Sequence, residues 1–488
     1  MQESYRQARL LKDSGFDGQF LFAVRTTGIF CRPSCPAPVA REDNVIYFHH
    51  VYEALAAGYR PCFRCRPELV LEPVYTAVAS ARRVQMALEK IQAGFLNQHS
   101  VAALADAVHV SERQLRKLFE AHLGLPPVRV ANYHKALFAR KMVMHSRRSM
   151  TDIAFAAGFG SVRQFNSVFQ QLFAQSPSQA RQMLESALPM EHNTQLLKYR
   201  QPFDFDRALD FLDSRAMAGV EQVSDNAYWR SFRLPVAADQ MATGYLVVRD
   251  CPAQSALSLT IHCDDVRCYM PLYQKVRRMF DLDADLDQIT RRFEQEPLLQ
   301  QGFHKGRVPR LPVAFDAYEF AIRAILGQQV SVKAANTLAA RLVQKTALAT
   351  PEDFPAALPY FFPPPELLQA ADLSDIGLTA TRQATIHGVL AALQQGDVRF
   401  ETGQAFDDFH RAFIAIKGIG DWTVNYVAMR GLGMKDCFPA ADLGIIKALQ
   451  AQCQSESGKL THKQIVQLAE SWRPYRSYAA LCLWNQYS

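Results

Sequence analysis

The 488-residue sequence has no apolar run approaching the roughly 20 residues needed to cross a bilayer. Its opening, MQESYRQARLLKD, is polar and carries neither an apolar segment nor a cleavage site. A soluble, unexported protein with no membrane partner is therefore expected. Gly (23) and Pro (25) are too sparse for a fibrous or low-complexity chain, and 49% hydrophobic against 21% charged residues excludes disorder as the main state. No solenoid-type repeat is present. With no secretion signal, ten cysteines do not read as a disulfide framework, so their spacing matters more than their number.

The length predicts three or four domains, and composition divides the chain. Residues 1–74 are rich in Arg, Pro, Cys and aromatics, with strand-like QFLFAV and NVIYF. Residues 75–184 carry a helical pattern. Residues 185–196, ESALPMEHNTQ and its border, read as a linker. Strand patterns return in YWRSFRL, GYLVVRD and ALSLTIHC, which predicts an antiparallel sheet subdomain over 197–312; 313–488 are helical again, broken by FFPPPE and a glycine hairpin. The fold class is multidomain α+β: a small metal-bound α/β domain, an all-α domain with two helix-turn-helix units, and a sheet subdomain leading into a helical domain. Residues 1–190 hold 23 Lys and Arg against 14 Asp and Glu, whereas the remainder has a net charge of −2. A basic excess confined to one part of a chain points to a polyanionic partner, with nucleic acid the first candidate.

Four cysteines fall in the first 65 residues as Cys31-x3-Cys35 and Cys62-x2-Cys65. Two such pairs supply the four thiolates of one tetrahedral zinc site, a redox pair or four unrelated thiols being the alternatives. Cys251, Cys263, Cys268, Cys437, Cys453 and Cys482 are scattered and read as ordinary thiols. The segment FLFAVRTTGIFCRPSCPAP with EALAAGYRPCFRCRP resembles the amino-terminal domain of the Ada family over about residues 15–70. That resemblance implies repair of DNA methyl phosphotriesters, with Cys31 taking the methyl group once and without turnover. A purely structural zinc domain is the competing possibility. Arg25, Arg32, Arg60, Arg64 and Arg66 around the motif are candidate phosphate contacts.

Val101, Leu104, Ala105 and Val108 follow helical spacing, and Ser111 then caps SERQLRKLFEAHLG, whose Arg113, Gln114, Arg116 and Lys117 face outward. The pattern recurs: Ile153, Ala154 and Ala157 precede a turn at Gly158, and Ser161 caps SVRQFNSVFQQLF with Arg163, Gln164 and Asn166 outward. Residues 128–145 read as one connecting helix of ~27 Å, long enough to space two recognition helices for successive major grooves ~34 Å apart. A plain helical bundle would show the same periodicity. The stretch over about 75–184, clearest in MTDIAFAAGFGSVRQFNSVF, resembles the AraC-type DNA-binding domain.

In FIAIKGIGDWTVNYVAMRGLGMKDCFPAADLGIIK, Gly418 and Gly420 make a tight turn whose amides can hold a DNA phosphate, a helix-hairpin-helix. Asp442 precedes the apolar LGIIKAL, where an N-cap is its plain structural role. Residues 197–488 resemble the helix-hairpin-helix DNA glycosylases of the AlkA family, which implies that the Asp442 carboxylate stabilises the cationic sugar as the base departs. Trp422 stands where bifunctional glycosylases of the wider helix-hairpin-helix superfamily carry a lysine nucleophile, which implies base release without strand nicking. Trp422 and Tyr426, one turn apart, would stack on the extruded base, although two aromatics at this spacing also suit a core. Gln329 falls where the family has an apolar wedge, Leu443 replaces an aromatic after the aspartate, and Tyr475 stands where a tryptophan is expected. All three bear on substrate range.

Together the resemblances imply an Ada–AlkA fusion that is both an alkylation-repair enzyme and an adaptive-response regulator. They imply one zinc ion per chain, held by four cysteines, and no iron–sulfur cluster. Expected partners are double-stranded DNA, alkylated and operator, and RNA polymerase as an activator. A cytoplasmic, nucleoid-associated bacterial monomer is expected, since two recognition helices per chain remove the need for a dimer. The alternative is a methylation-sensing regulator whose last domain binds DNA without catalysing. No Pro-Cys-His-Arg segment of an O6-alkylguanine transferase is present, so that repair activity is expected to be absent.

Overall fold

Short alternating strands near the amino terminus form the first sheet. In the computed structural model, β1 (Leu21–Val24), β2 (Ile29–Cys31), β3 (Val45–Phe48) and β4 (Arg60–Pro61) are ordered β3-β1-β2-β4. The β1–β2 and β1–β3 pairs are antiparallel, and β2–β4 is parallel. The structure describes all residues except 1, 66, 68–78, 183–192, 238, 453–459 and 487–488. Most of the expected 185–196 linker, together with Arg66 and Cys453, therefore lies outside the described residues.

The chain divides into two compact units, one built mainly from residues 1–195 and the other mainly from residues 196–488. Within the first, the sheet packs directly on the helices that follow. Phe63, between Cys62 and Cys65, lies 5.8 Å from Phe173, and the buried Arg140 guanidinium sits over both rings at 5.2 and 4.8 Å. The zinc-site sheet and the helix-turn-helix region thus share one core.

The two helix-turn-helix units are built alike. Ser111 and Ser161 cap Glu112–Leu123 and Val162–Phe173, their side chains accepting from Gln114 N and Gln164 N, each at 3.2 Å. The apolar residues of the first turns are buried on one side, Leu115 with Phe119 and Phe165 with Phe169, while Arg113, Gln114 and Arg116, and Arg163 and Gln164, are exposed on the other. Between them Pro127–His145 runs 19 residues, ~28 Å at the standard rise.

The turn before each capping serine needs a left-handed residue, and the units meet this need differently. His109 has φ +56° and Gly158 has φ +80°. A Cβ on Gly158 would also lie 2.3 Å from the Asn97 side chain.

The second sheet runs β5 (Thr194–Lys198), β9 (Ala256–Cys263), β8 (Gln240–Cys251), β7 (Ala227–Ala237) and β6 (Glu221–Ser224), in that spatial order. The β6–β7 and β8–β9 pairs are antiparallel. Strands end at Cys263, so the later part of 197–312 is helical, in Tyr269–Met279, Leu286–Phe293 and Pro297–Gln300. A large core joins the last two of these helices to the carboxy-terminal ones. Buried Arg230 bonds Glu221 of β6 and Glu319 of the helix Ala317–Leu326, tying sheet to helices. No described helix is long and apolar enough to cross a membrane.

Gly158→Ala should lower the unfolding midpoint of the full chain, because it adds a left-handed penalty of about 1–2 kcal/mol and a clash. His109→Gly should raise or preserve it. Chemical denaturation of both variants checks the pair, and an unchanged Gly158→Ala midpoint would contradict this account of the turn.

Candidate functional sites

Cys31 ends β2 opposite Phe22 of β1, Cys35 closes the turn that follows through its amide to Arg32 O at 3.1 Å, and Cys62 follows β4. Their sulfurs and that of Cys65 lie within 4.8 Å of one another, and all four residues are buried. A tetrahedral zinc site with bonds of ~2.3 Å needs sulfurs about 3.8 Å apart, so this donor set fits one zinc ion. Hydrogen bonding to Cys35, Cys62 and Cys65 holds the Cys31 proton far above the ordinary thiol range, whereas the bond from Cys31 pulls Cys35 down to about 7. A dication at the centre replaces such shared protons and favours four thiolates.

Of the flanking arginines, Arg25 and Arg64 are exposed. Arg32 pairs with Asp17 at 3.2 Å, and Arg60 donates to Thr27 O at 3.3 Å.

In the second unit, the helices Phe406–Ile414 and Asp421–Arg430 flank the glycine turn. Gly418 has φ +92°, and a Cβ there would lie 2.0 Å from Thr385 Oγ1. Around Gly420 a Cβ would meet nothing within 4 Å, leaving the backbone open to close approach. Buried Ile419 anchors the turn while Lys417, Gly418 and Gly420 are exposed.

Asn425 then fixes the next segment. Its Nδ2 donates to Asp421 and its Oδ1 accepts from Phe438 N at 3.0 Å, four residues before Asp442. Asp442 caps the helix Leu443–Gln452, its Oδ1 accepting from Gly444 N at 2.9 Å and Ile445 N at 3.2 Å.

The same carboxylate faces a cavity of about 630 Å³. Trp422 Nε1 donates to Oδ2 at 2.9 Å and Trp484 Nε1 to Oδ1 at 2.7 Å. Trp422 and Tyr426 stack with centroids 4.8 Å apart and planes at 17°, and Trp484 stands edge-on to Tyr426 at 6.3 Å and 82°. A Cβ on Gly444 would lie 3.1 Å from Trp484 Cδ1, a tight contact that would displace the indole by a few tenths of an ångström. Arg430 lies over Phe211 at 4.8 Å and Trp484 at 5.2 Å. Burial pushes its guanidinium down to about 10, opposed by Tyr426 and Asp442, so it remains a cation at neutral pH.

The cavity thus unites Asp442, Trp422 and Tyr426 but is not lined by Gln329 or Tyr475. Gln329 is exposed with φ +55° in the turn before Val332–Thr346. Its neighbour Gln328 donates to Gly418 O and Thr423 Oγ1, each at 3.2 Å, which holds that turn beside the hairpin. Tyr475 is buried against Tyr478 at 6.3 Å, and Leu443 is 73% exposed. Trp484, Phe211 and Arg430 line the cavity without having been singled out by the sequence. Only the scarcity of tryptophan, four in the chain, marks Trp484.

Family models match in chain order: the metal binding domain of Ada over residues 4–68, a helix-turn-helix domain over 104–183 and the AlkA N-terminal domain over 194–316. The chain is 36% identical, over 482 residues, to the probable bifunctional transcriptional activator/DNA repair enzyme AlkA of Mycobacterium tuberculosis, covering 97% of this chain and 94% of that one. It belongs to this AlkA family of bifunctional activator/repair proteins. Parts of it are similar to separate proteins of Escherichia coli. DNA-3-methyladenine glycosylase 2 is 32% identical over 292 residues, covering 59% of this chain and 95% of the relative. The bifunctional transcriptional activator/DNA repair enzyme Ada is 40% identical over 160 residues, covering 31% and 41%. Membership of the AlkA family agrees with one zinc held by Cys31, Cys35, Cys62 and Cys65.

Replacing Cys35, Cys62 or Cys65 by Ala should abolish stoichiometric zinc. Metal analysis of freshly purified protein checks this, one equivalent being expected for the parent and well under half for each variant.

Proposed function

We propose that the chain repairs alkylated DNA in two ways and regulates transcription in response. The carrying observation is Asp442, a carboxylate anchored by two backbone amides and two indoles at the wall of an aromatic cavity. An extruded alkylated base would stack on Trp422 and Tyr426, whose electron-rich faces favour a cationic purine. As the base leaves, positive charge grows on the sugar, and the fixed anion of Asp442 stabilises it. The same group can orient the attacking water. No amine stands at Trp422, so the base departs to leave an abasic site with the strand intact. The glycine turn at Gly418 and Gly420 would hold the DNA backbone during this step.

Cys31 would take a methyl group from a phosphotriester: the carbon–oxygen bond breaks, a carbon–sulfur bond forms, and the phosphodiester leaves as an anion. Zinc, when bound, keeps the sulfur deprotonated at neutral pH while leaving it nucleophilic. Four thiolates around a dication carry a formal charge of −2, and methylation of one reduces this to −1. Repulsion of DNA phosphates falls, so operator binding through Arg113, Gln114, Arg116, Arg163 and Gln164 should tighten. Arg25, Arg32 and Arg60 would contact the backbone near the repaired triester. Activation would then proceed through contact with RNA polymerase by a nucleoid-associated, cytoplasmic monomer.

Asp442→Asn keeps an N-cap of equal rank but removes the anion. Single-turnover release of 3-methyladenine should fall roughly 100-fold or more at equal DNA occupancy, the scale of a lost directed electrostatic contact. Rates comparable to the parent would reject the catalytic role. Operator affinity should rise after methyl uptake, and the gain should shrink as salt shortens the Debye length below about 8 Å. Equal affinity of methylated and unmethylated protein at low salt would contradict the charge mechanism.

A further inference from the structure

Trp422, Tyr426 and Arg430 stand at successive turns of the helix Asp421–Arg430, and all three line the cavity. The standard rise puts Arg430 ~12 Å along the helix axis from Trp422, whose indole holds Asp442. Trp484 spans the same interval: its Nε1 donates to Asp442, Tyr426 meets it edge-on, and the Arg430 guanidinium lies over its ring. The cavity thus carries an anion at one end of an aromatic ladder and a cation at the other.

Neighbouring arginines of the cavity wall are partnered. Arg207 donates to Asn485 Oδ1 and, at 2.8 Å, to His304 Nδ1; Arg310 donates to Asp281 O at 2.6 Å and Arg200 O at 3.1 Å; Arg307 pairs with Asp287 at 2.6 Å. Arg230, as deeply buried as Arg430, bonds both Glu221 and Glu319. Arg430 is only 7% exposed, yet its Nε has no hydrogen-bond partner and its Nη1 reaches Pro312 O at 3.4 Å. It forms no ion pair among the described residues. Burying a cation without a paired carboxylate is destabilising, and a charge that served only to complement the end of its helix could stay in water. The position of Arg430 therefore points to work inside the cavity.

We infer that Arg430 is the positive pole of a fixed field, with Asp442 as its negative pole, that drives positive charge from the alkylated base to the sugar as their bond breaks. This rests on the glycosylase activity proposed above. With the base on the Trp422–Tyr426 stack and C1′ beside Asp442, the purine is the group nearer Arg430. The C1′–N bond breaks with its electron pair passing to the cationic purine, which leaves neutral; the water oxygen bonds to C1′ and a water proton passes to solvent. Positive charge thus moves away from Arg430 and toward Asp442. Repulsion present in the bound substrate is relieved in the transition state, so Arg430 raises the rate without tightening binding. The aromatic rings between the poles exclude water, which leaves the field weakly screened.

The test follows single-turnover release of 3-methyladenine by the full chain over a range of protein concentrations, which separates the saturating rate from the half-saturating concentration. Arg430→Met keeps a long side chain against the two rings but removes the charge. Its saturating rate should fall about tenfold, the scale of one unit charge acting across ~10 Å at the effective dielectric of a protein interior. Its half-saturating concentration should be unchanged or lower. Arg430→Lys, which keeps the charge, should recover most of the lost rate. In an Asp442→Asn background Arg430→Met should slow the residual release further, because each pole acts on the substrate directly; a residue acting only through Asp442 would change nothing there. Unfolding midpoints show that each variant is folded, and Arg430→Gln takes the place of Arg430→Met if the latter is not. A parental rate in the neutral variant overturns the inference. So does a loss accounted for by a raised half-saturating concentration, a folded Lys variant as slow as the neutral one, or no further loss in the Asp442→Asn background. A parent that releases no 3-methyladenine overturns the glycosylase activity itself.

Discussion

Asp442 accepts from four donors at once, two amides of the helix it caps and two indoles that line the cavity. An acceptor bound on all sides cannot swing away from its place, and the elements that supply its donors are fixed in turn. Trp422 rides the second helix of the glycine hairpin, so the piece proposed to meet the DNA backbone also sets the carboxylate. Trp484 comes from the last helix, Arg476–Asn485.

Two modes of repair in one chain rest on different uses of charge. In the proposed function, negative charge on sulfur is consumed at the cysteine cluster, so the site would act once and its electrostatics would change permanently. At Asp442 the charge would be lent to a passing transition state and retained. In the first unit the two sites are close neighbours: Phe63, between Cys62 and Cys65, packs on Phe173 of the helix Val162–Phe173, with Arg140 over both rings.

Local signals in the sequence were strongest where the chemistry is local. Paired cysteines imply a cluster, and serines before amphipathic helices imply caps; both are properties of residues a few positions apart. Asp442 shows that a cap and a cavity-facing carboxylate need not be alternatives, since one oxygen makes both contacts. The wall of the cavity was illegible for the opposite reason. Phe211, His304, Arg430 and Asn485 come from four distant segments, and no periodicity joins them. Gln329 and Tyr475 were marked by family position, yet one sits in a turn beside the hairpin and the other in the core. The extent of the sheet subdomain was blurred because amphipathic helices after Cys263 continue its apolar content without a composition break.

One incubation tests the whole account most directly: full-length protein with DNA carrying both methyl phosphotriesters and 3-methyladenine, following the mass of the Cys31 peptide and the released base together. One methyl per chain, on Cys31 alone, should accumulate and stop, while base release continues through many turnovers by the same protein. Methyl uptake on another cysteine, or uptake without base release, would contradict it.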